Sequence, residues 1–253
     1  MSEAMAFIGI DPTAGARAMT YAVLDDQLHV RQLGKGSLEH VVEVALSPST
    51  AVCGIDAPAG PNLGLMADPA YRERLGLDAG RSNYSTFRVC EFELRRRGIF
   101  VYNTPPDESS LASWMQEGRR LYQTLRDAGY VDYPRTGRRR LFETYPHAAF
   151  TALAKGRPYP KNSLEGLLQR QLLLYEEGID LPDPMRTLEE WTRHRLLKGQ
   201  LDLADVHNHD ELDALVAAYT AFVLVREPQH ITVVGDPAEG QIILPVADLL
   251  DAY

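Results

Sequence analysis

The sequence predicts an α/β protein. Its mixed sheet opens with a β-β-β-α-β unit and is interrupted by a mainly helical region. Three observations lead to this reading. Short apolar runs near the amino-terminal end are joined by turn-forming residues. A helical pattern with a serine cap separates the third run from the fourth. Several long helical patterns then follow before a last pair of strands. The 253 residues are enough for one sizeable core. With 45% hydrophobic and 24% charged residues the composition is ordinary, which excludes disordered and collagen-like classes.

The elements follow in order. Ala6-Phe7-Ile8-Gly9-Ile10 is an apolar run that ends in Asp11-Pro12. Residues 20–24 form a second run, closed by Asp25-Asp26, and residues 29–33 a third. Their short connections suit hairpin-linked antiparallel strands. Between 37 and 46, Leu38, Val41, Val42, Ala45 and Leu46 recur at helical spacing behind Ser37. Residues 50–55 form the fourth run, ending in Asp56-Ala57-Pro58. The stretch 60–81 reads as loop. Helical patterns then cover 87–97, 111–128, 163–177 and 187–197, with a strand at 140–144 before Tyr145-Pro146. Residues 210–225 form the clearest helix, with Leu212, Leu215, Val216, Tyr219 and Phe222 on one face. Strands at 230–234 and 241–244, joined by Gly235-Asp236-Pro237, close the pattern. No internal repeat or linker divides the chain. The expectation is one domain over 1–253, with an inserted helical region at about 87–197.

Charge and cysteine content narrow the function classes. Twenty-six Lys and Arg against 35 Asp and Glu give a net charge of −9. A general polyanion binder needs the opposite balance, because phosphate affinity comes chiefly from Lys and Arg. Contact with nucleic acid would require a local basic patch or a bound metal. Cys53 and Cys90 make neither a disulfide framework nor a zinc site, and read as reduced thiols. The amino-terminal MSEAMAFIGID lacks a basic region and a long apolar stretch, so no signal peptide is expected. No window approaches 18 uninterrupted apolar residues. A soluble cytoplasmic protein without a membrane partner is the expectation; the oligomeric state is open.

Acidic residues stand where ligands are usually met. Asp11, Asp56 and Glu143 each end an apolar strand, and side chains at strand ends leave the core for a crevice. A right-handed crossover through the 37–46 helix would set the first and fourth strands side by side, with Asp11 and Asp56 facing one cleft. Adjacent carboxylates repel unless a cation lies between them or one is protonated. Oxygen ligands of this kind suit Mg²⁺ or Mn²⁺. Each Asp alone is also an ordinary turn residue. A second cluster lies in His207-Asn208-His209-Asp210-Glu211-Leu212-Asp213. Asn208 with Glu211 fits a capping box, and acidic residues complement the helix dipole, which accounts for Asp210 and Glu211. It accounts less well for Asp213, set among apolar neighbours and sharing a face with Asp210. Two loop histidines are more often solvated than metal-bound.

These pieces resemble a known family. The β-β-β-α-β order, with Asp closing the first strand, is similar to the ribonuclease H-like fold. The Asp210-x-x-Asp213-Ala214-Leu215 run resembles the last acidic pair of Holliday-junction resolvases. More specifically, the chain resembles the domain-of-unknown-function 429 family, described as predicted nucleases. The matching segments are Gly9-Ile10-Asp11, Ile55-Asp56-Ala57-Pro58, Arg88-x-Cys90-Glu91, Glu143-x-Tyr145-Pro146, Lys161-x₄-Gly166-x₃-Arg170 and Asp210-x-x-Asp213-Ala214. They run in order over nearly the whole chain.

The resemblance implies a catalytic set of Asp11, Asp56, Glu143, Asp210 and Asp213. Asp11, Asp56, Glu143 and Asp213 would hold Mg²⁺ or Mn²⁺ for phosphodiester hydrolysis. Arg88, Lys161 and Arg170 would pair with phosphate oxygens of a nucleic acid or a small phosphorylated substrate. Candidate backbone contacts are Arg95-Arg96-Arg97 and the 135–140 run, each equally readable as a solvated surface. Tyr130, Tyr133 and Tyr145 would be available to stack bases. Two rivals stand beside this reading. An actin-like phosphotransferase also ends its first strand in Gly-x-Asp, and Asp11-Pro12-Thr13-Ala14-Gly15 resembles its phosphate turn. A non-enzymatic binding protein on the same fold is the other.

Overall fold

Strand β1 (Ala6–Asp11) sets the logic of the sheet. Phe7 packs into the core on one face, while Ile8 and Ile10 pack into the core on the other. Both faces are therefore covered, and the strand is apolar throughout rather than alternating. The computed structural model describes residues 5–13, 18–77, 84–200 and 202–253.

Strands β2 (Met19–Leu24) and β3 (Val30–Gly36) continue β1 as an antiparallel meander. Helix α1 (Leu38–Leu46) follows, capped by the Ser37 side chain, which accepts a hydrogen bond from the His40 amide. It leads to β4 (Ala51–Ile55), which lies parallel to β1. The expected β-β-β-α-β order is thus present, with β1 and β4 as neighbours. Helices α2 (Pro69–Arg74), α3 (Val89–Arg96) and α4 (Ser113–Asp127) come next. The short β5 (Val131–Asp132) and then β6 (Arg139–Thr144) return to the sheet. Helices α5 (Pro146–Leu153), α6 (Leu164–Glu176), α7 (Pro184–Glu189), α8 (Arg193–Leu197) and α9 (His209–Arg226) precede the closing pair β7 (Thr232–Val234) and β8 (Ile242–Leu244). The strand order is β3-β2-β1-β4-β6-β8-β7, with β5 beside β6.

Four sequence expectations are revised here. The 87–197 region is not one helical insertion, because β6 within it sits centrally, parallel to both β4 and β8. The 187–197 pattern divides into α7 and α8, since Thr192 turns its side chain to cap the Arg195 amide and starts a new helix. The 60–81 loop contains α2, whose Pro69 occupies a first-turn position that proline tolerates. Helix α5 has no amphipathic period to reveal it, because nearly all of its residues are buried.

One core layer lies between the sheet and α1 and α4, holding Ile8, Cys53, Ile55, Leu121 and Leu141. The other lies under α5, α6 and α9, with Phe7, Val52, Phe142, Phe150 and Leu215. Helix α9 is buried almost all round, from Leu212 to Leu224. Its approach to the sheet depends on two glycines that are register partners, Gly9 in β1 and Gly54 in β4. A Cβ on Gly9 would stand 1.9 Å from the Ala214 carbonyl oxygen, and one on Gly54 would stand 2.7 Å from that of Ala217. Only glycine admits the helix backbone so close to both strands.

Candidate functional site

Two residues beyond each of these glycines the strands end in Asp11 and Asp56. Side chains repeat their face every second residue, so both carboxylates fall on the α9 side. The Asp56 amide donates to the Ile10 carbonyl at 2.9 Å, which holds the two strand ends together. The close seat of α9 delivers its first turns, with Asp210 and Asp213, to the same place. Asp11, Asp56, Asp210, Asp213, Lys161 and Arg170 all line one cavity of about 500 Å³.

The charges in this cavity are poorly balanced. Burial, followed by the negative charges of Asp213 and Asp210, pushes the Asp11 carboxyl up to about 8. Asp56 is held well above the usual carboxylate range by burial and then by Asp11 and Asp213. Asp213 is raised by burial, with Lys161, Arg170 and His209 acting in the opposite sense. Burial also acts to raise Asp210, but Lys35 at 3.0 Å and the nearby His209 more than offset it and leave the group below its ordinary value. The Lys161 ammonium lies 3.3 Å from Asp213 Oδ2. Burial disfavours its charge, yet Asp213, Asp11 and Asp56 keep it protonated above the ordinary range. Arg170 is fixed by donating from Nη1 to the carbonyls of Tyr159 and Gly166 at 3.0 and 2.9 Å.

Two expected members do not line the cavity. Glu143 Oε1 accepts from Arg88 Nη2 at 2.5 Å, and Oε2 accepts from Arg88 Nη1 at 3.0 Å and from the Ala59 amide at 2.8 Å. Its carboxylate is thus committed as a hydrogen-bond acceptor beside the cavity. Arg88 is 1% exposed and also donates from Nε to Glu91 at 2.8 Å. No face of its guanidinium is open to a substrate phosphate. Glu143 instead grips the loop that follows Asp56, a positioning role.

Other sequence candidates fall elsewhere. Tyr130 is buried and donates to the Ala45 carbonyl at 2.5 Å, and Tyr133 packs against the core. The 135–140 arginines precede or open β6, at the opposite end of the parallel strands from Asp11 and Asp56. Gly235-Asp236-Pro237 does form the turn between β7 and β8. In the Asp11–Gly15 turn, Ala14 and Gly15 lie outside the described residues.

The aromatic lining of the cavity was not anticipated apart from Tyr145. Phe100 and Tyr102 stand two residues apart on one loop, but Trp114 lies in the first turn of α4 and Tyr159 on another loop, so no spacing links the whole set. The usable signal for the carboxylates was the repeated Gly-Ile-Asp at 9–11 and 54–56, two strands ending alike beneath one helix.

The donor set fits a hard divalent cation in kind: three carboxylates, Asp213 buried and Asp11 and Asp56 partly buried, with excess negative charge and no sulfur among them. In this arrangement Asp213 is turned to Lys161 instead. Among the described residues no three His, Cys, Asp or Glu side chains stand as a ready-made metal cluster. No described helix is long and apolar enough to cross a membrane.

No curated protein and no solved structure matches the chain. A family model described as protein of unknown function (DUF429) matches residues 9–239, a span that takes in Asp11, Asp56, Lys161, Arg170, Asp210 and Asp213. The chain belongs to the domain-of-unknown-function 429 family.

Proposed function

We propose that this chain is a metal-dependent hydrolase of phosphodiester bonds, a nuclease on a ribonuclease H-like sheet, working through Mg²⁺ or Mn²⁺. The observation that carries the reading is the convergence of Asp11, Asp56 and Asp213 on one cavity, with burial and mutual repulsion raising the first two. A structural role does not call for carboxylates held against their own charge, whereas cation binding does. The strand order β3-β2-β1-β4-β6 and the antiparallel-then-parallel pairing support the ribonuclease H-like assignment.

On this reading Asp11, Asp56 and Asp213 hold the cation, which when bound activates water and neutralises charge on the phosphoryl oxygens. Asp210, kept ionised by Lys35, contributes field from the rim. Lys161 is released from Asp213 and can then pair with a phosphate oxygen. Arg170, tied to the Tyr159 carbonyl two residues before Lys161, supplies a second, fixed positive charge. Glu143 and Arg88 keep the loop after Asp56 in place.

The test is calorimetric titration of Mn²⁺ into the native chain and into Asp56→Asn, paired with cleavage assays on single-stranded, duplex and junction nucleic acids. Saturable binding and cleavage that the substitution abolishes, with an unchanged fold, are expected. Equal Mn²⁺ affinity in the two proteins, or cleavage retained by Asp56→Asn, removes the assignment.

A further inference from the structure

Beside the carboxylate cavity lies a second one of about 440 Å³, lined by Arg95, Arg157 and His147 among others. Phe100, His147 and Pro158 line both, so the two cavities share a wall. The acidic chain thus places two arginines immediately next to its carboxylate site.

The shared border is aromatic and open. Phe100 is 47% and Tyr102 is 60% exposed, large values for side chains that usually bury their rings. They stack edge to face at 5.1 Å, and Tyr102 meets Trp114 in the same manner at 6.2 Å. The three rings therefore form a stepped ledge, each turned edge-on to the next, so that a planar ligand can lie on one ring face at a time. At its outer end Arg95 lies 4.4 Å from the Phe100 ring centroid and donates from Nε to the Val101 carbonyl, which fixes the guanidinium beside the ledge. Arg157 is exposed, and among the described residues it makes no hydrogen bond or ion pair.

We infer that the paired cavities form a nucleotide subsite, with a base stacked on the exposed Tyr102 ring beside Trp114 and a phosphate held by Arg95 and Arg157. An aromatic face recognises a planar ring of any base, and a neighbouring guanidinium recognises the phosphate attached to it. A sugar phosphate would use the arginines and leave the ledge empty. This deepens the hydrolase reading by naming what flanks the scissile phosphate: a base-bearing unit whose own phosphate sits on the side away from Asp11 and Asp56.

The chain contains two tryptophans, and only Trp114 lines the cavity. Trp191→Phe leaves Trp114 as the sole tryptophan, excited selectively over the tyrosines at the red edge of absorption, and removes a buried indole N–H that has no partner. In this background adenosine, adenosine 5′-monophosphate and ribose 5-phosphate are titrated with EDTA present, so that divalent metal plays no part. The monophosphate should quench Trp114 saturably and bind about tenfold tighter than adenosine. Arg157→Gln should weaken the monophosphate severalfold and leave adenosine unchanged, and ribose 5-phosphate should not quench. Equal affinity for adenosine and its monophosphate, indifference to Arg157→Gln, or quenching by ribose 5-phosphate overturns the subsite. The metal assignment stands or falls separately on the Mn²⁺ titration.

Discussion

Two groups of carboxylates, one fully buried and one partly, lie side by side in this molecule and are treated oppositely. Around Arg88, every carboxylate oxygen of Glu91, Glu143 and Glu239 has a hydrogen-bond donor. The donors are Arg88 itself, Thr104, and the amides of Arg88, Ala59, Leu65 and Val89. In the cavity, Asp11, Asp56 and Asp213 face one another with Lys161 as the nearest cation. The first group ties α3, β6 and the 235–240 turn together. The second has no structural benefit that would repay its repulsion. Burial of acid does not by itself mark a functional site; burial without matching donors does.

The largest expected effect is on the satisfied side. Arg88→Met removes the cation from two buried carboxylates and should cost about 3–5 kcal/mol in urea unfolding. Arg88→Lys retains the charge but not the fork that reaches both Glu91 and Glu143, and should recover only part of it. A loss under about 1 kcal/mol for Arg88→Met would erase the contrast with the cavity, because an exposed pair costs that much.

Next comes a residue that belongs to neither group but decides whether the second exists. Gly9→Ala puts a methyl group against the Ala214 carbonyl and 2.4 Å from the Ala218 amide nitrogen, both backbone atoms that cannot swing aside. The expected cost is about 1–3 kcal/mol. Because α9 must move to relieve the clash, Asp213 should move with it, and Mn²⁺ affinity should fall although no ligand has been changed. Unaltered Mn²⁺ binding in a destabilised Gly9→Ala protein would show that the seat of α9 does not set the site.

That dependence also explains what could be read from the sequence. Strand ends and the capping box at Asn208 are local features, and they placed Asp11, Asp56 and the start of α9. Asp213 was legible because a charged residue inside an apolar run is out of place there. Arg88 and Glu143 misled for a physical reason. An arginine and a glutamate 55 residues apart give no local sign that each neutralises the other. The aromatic ledge was hidden in the same way, since Trp114 joins the neighbouring Phe100 and Tyr102 only through tertiary packing. Helix α5 escaped because a helix buried nearly all round lacks the periodicity that reveals amphipathic ones.

The smallest effect has the opposite sign and separates the two groups most sharply. Asp11 titrates at about 8 in the folded chain against an ordinary value of 3.8. Below the ordinary value the group is protonated whether the chain is folded or not. Between that value and about 8 the folded form binds the proton and the unfolded form does not, so stability is progressively lost as pH rises through this window. Asparagine has no proton to lose. At pH 8, without divalent metal, Asp11→Asn should therefore be more stable than the native chain by about 1 kcal/mol, a rise of about 2–4 °C in Tm. The gain should shrink as pH falls towards 5, and saturating Mn²⁺ should reverse it by stabilising only the native protein. Thermal melts at pH 5 and pH 8, with and without Mn²⁺, read all three. If Asp11→Asn melts lower than the native chain at pH 8 without metal, Asp11 is satisfied like Glu143, and the carboxylates of the cavity are structural after all.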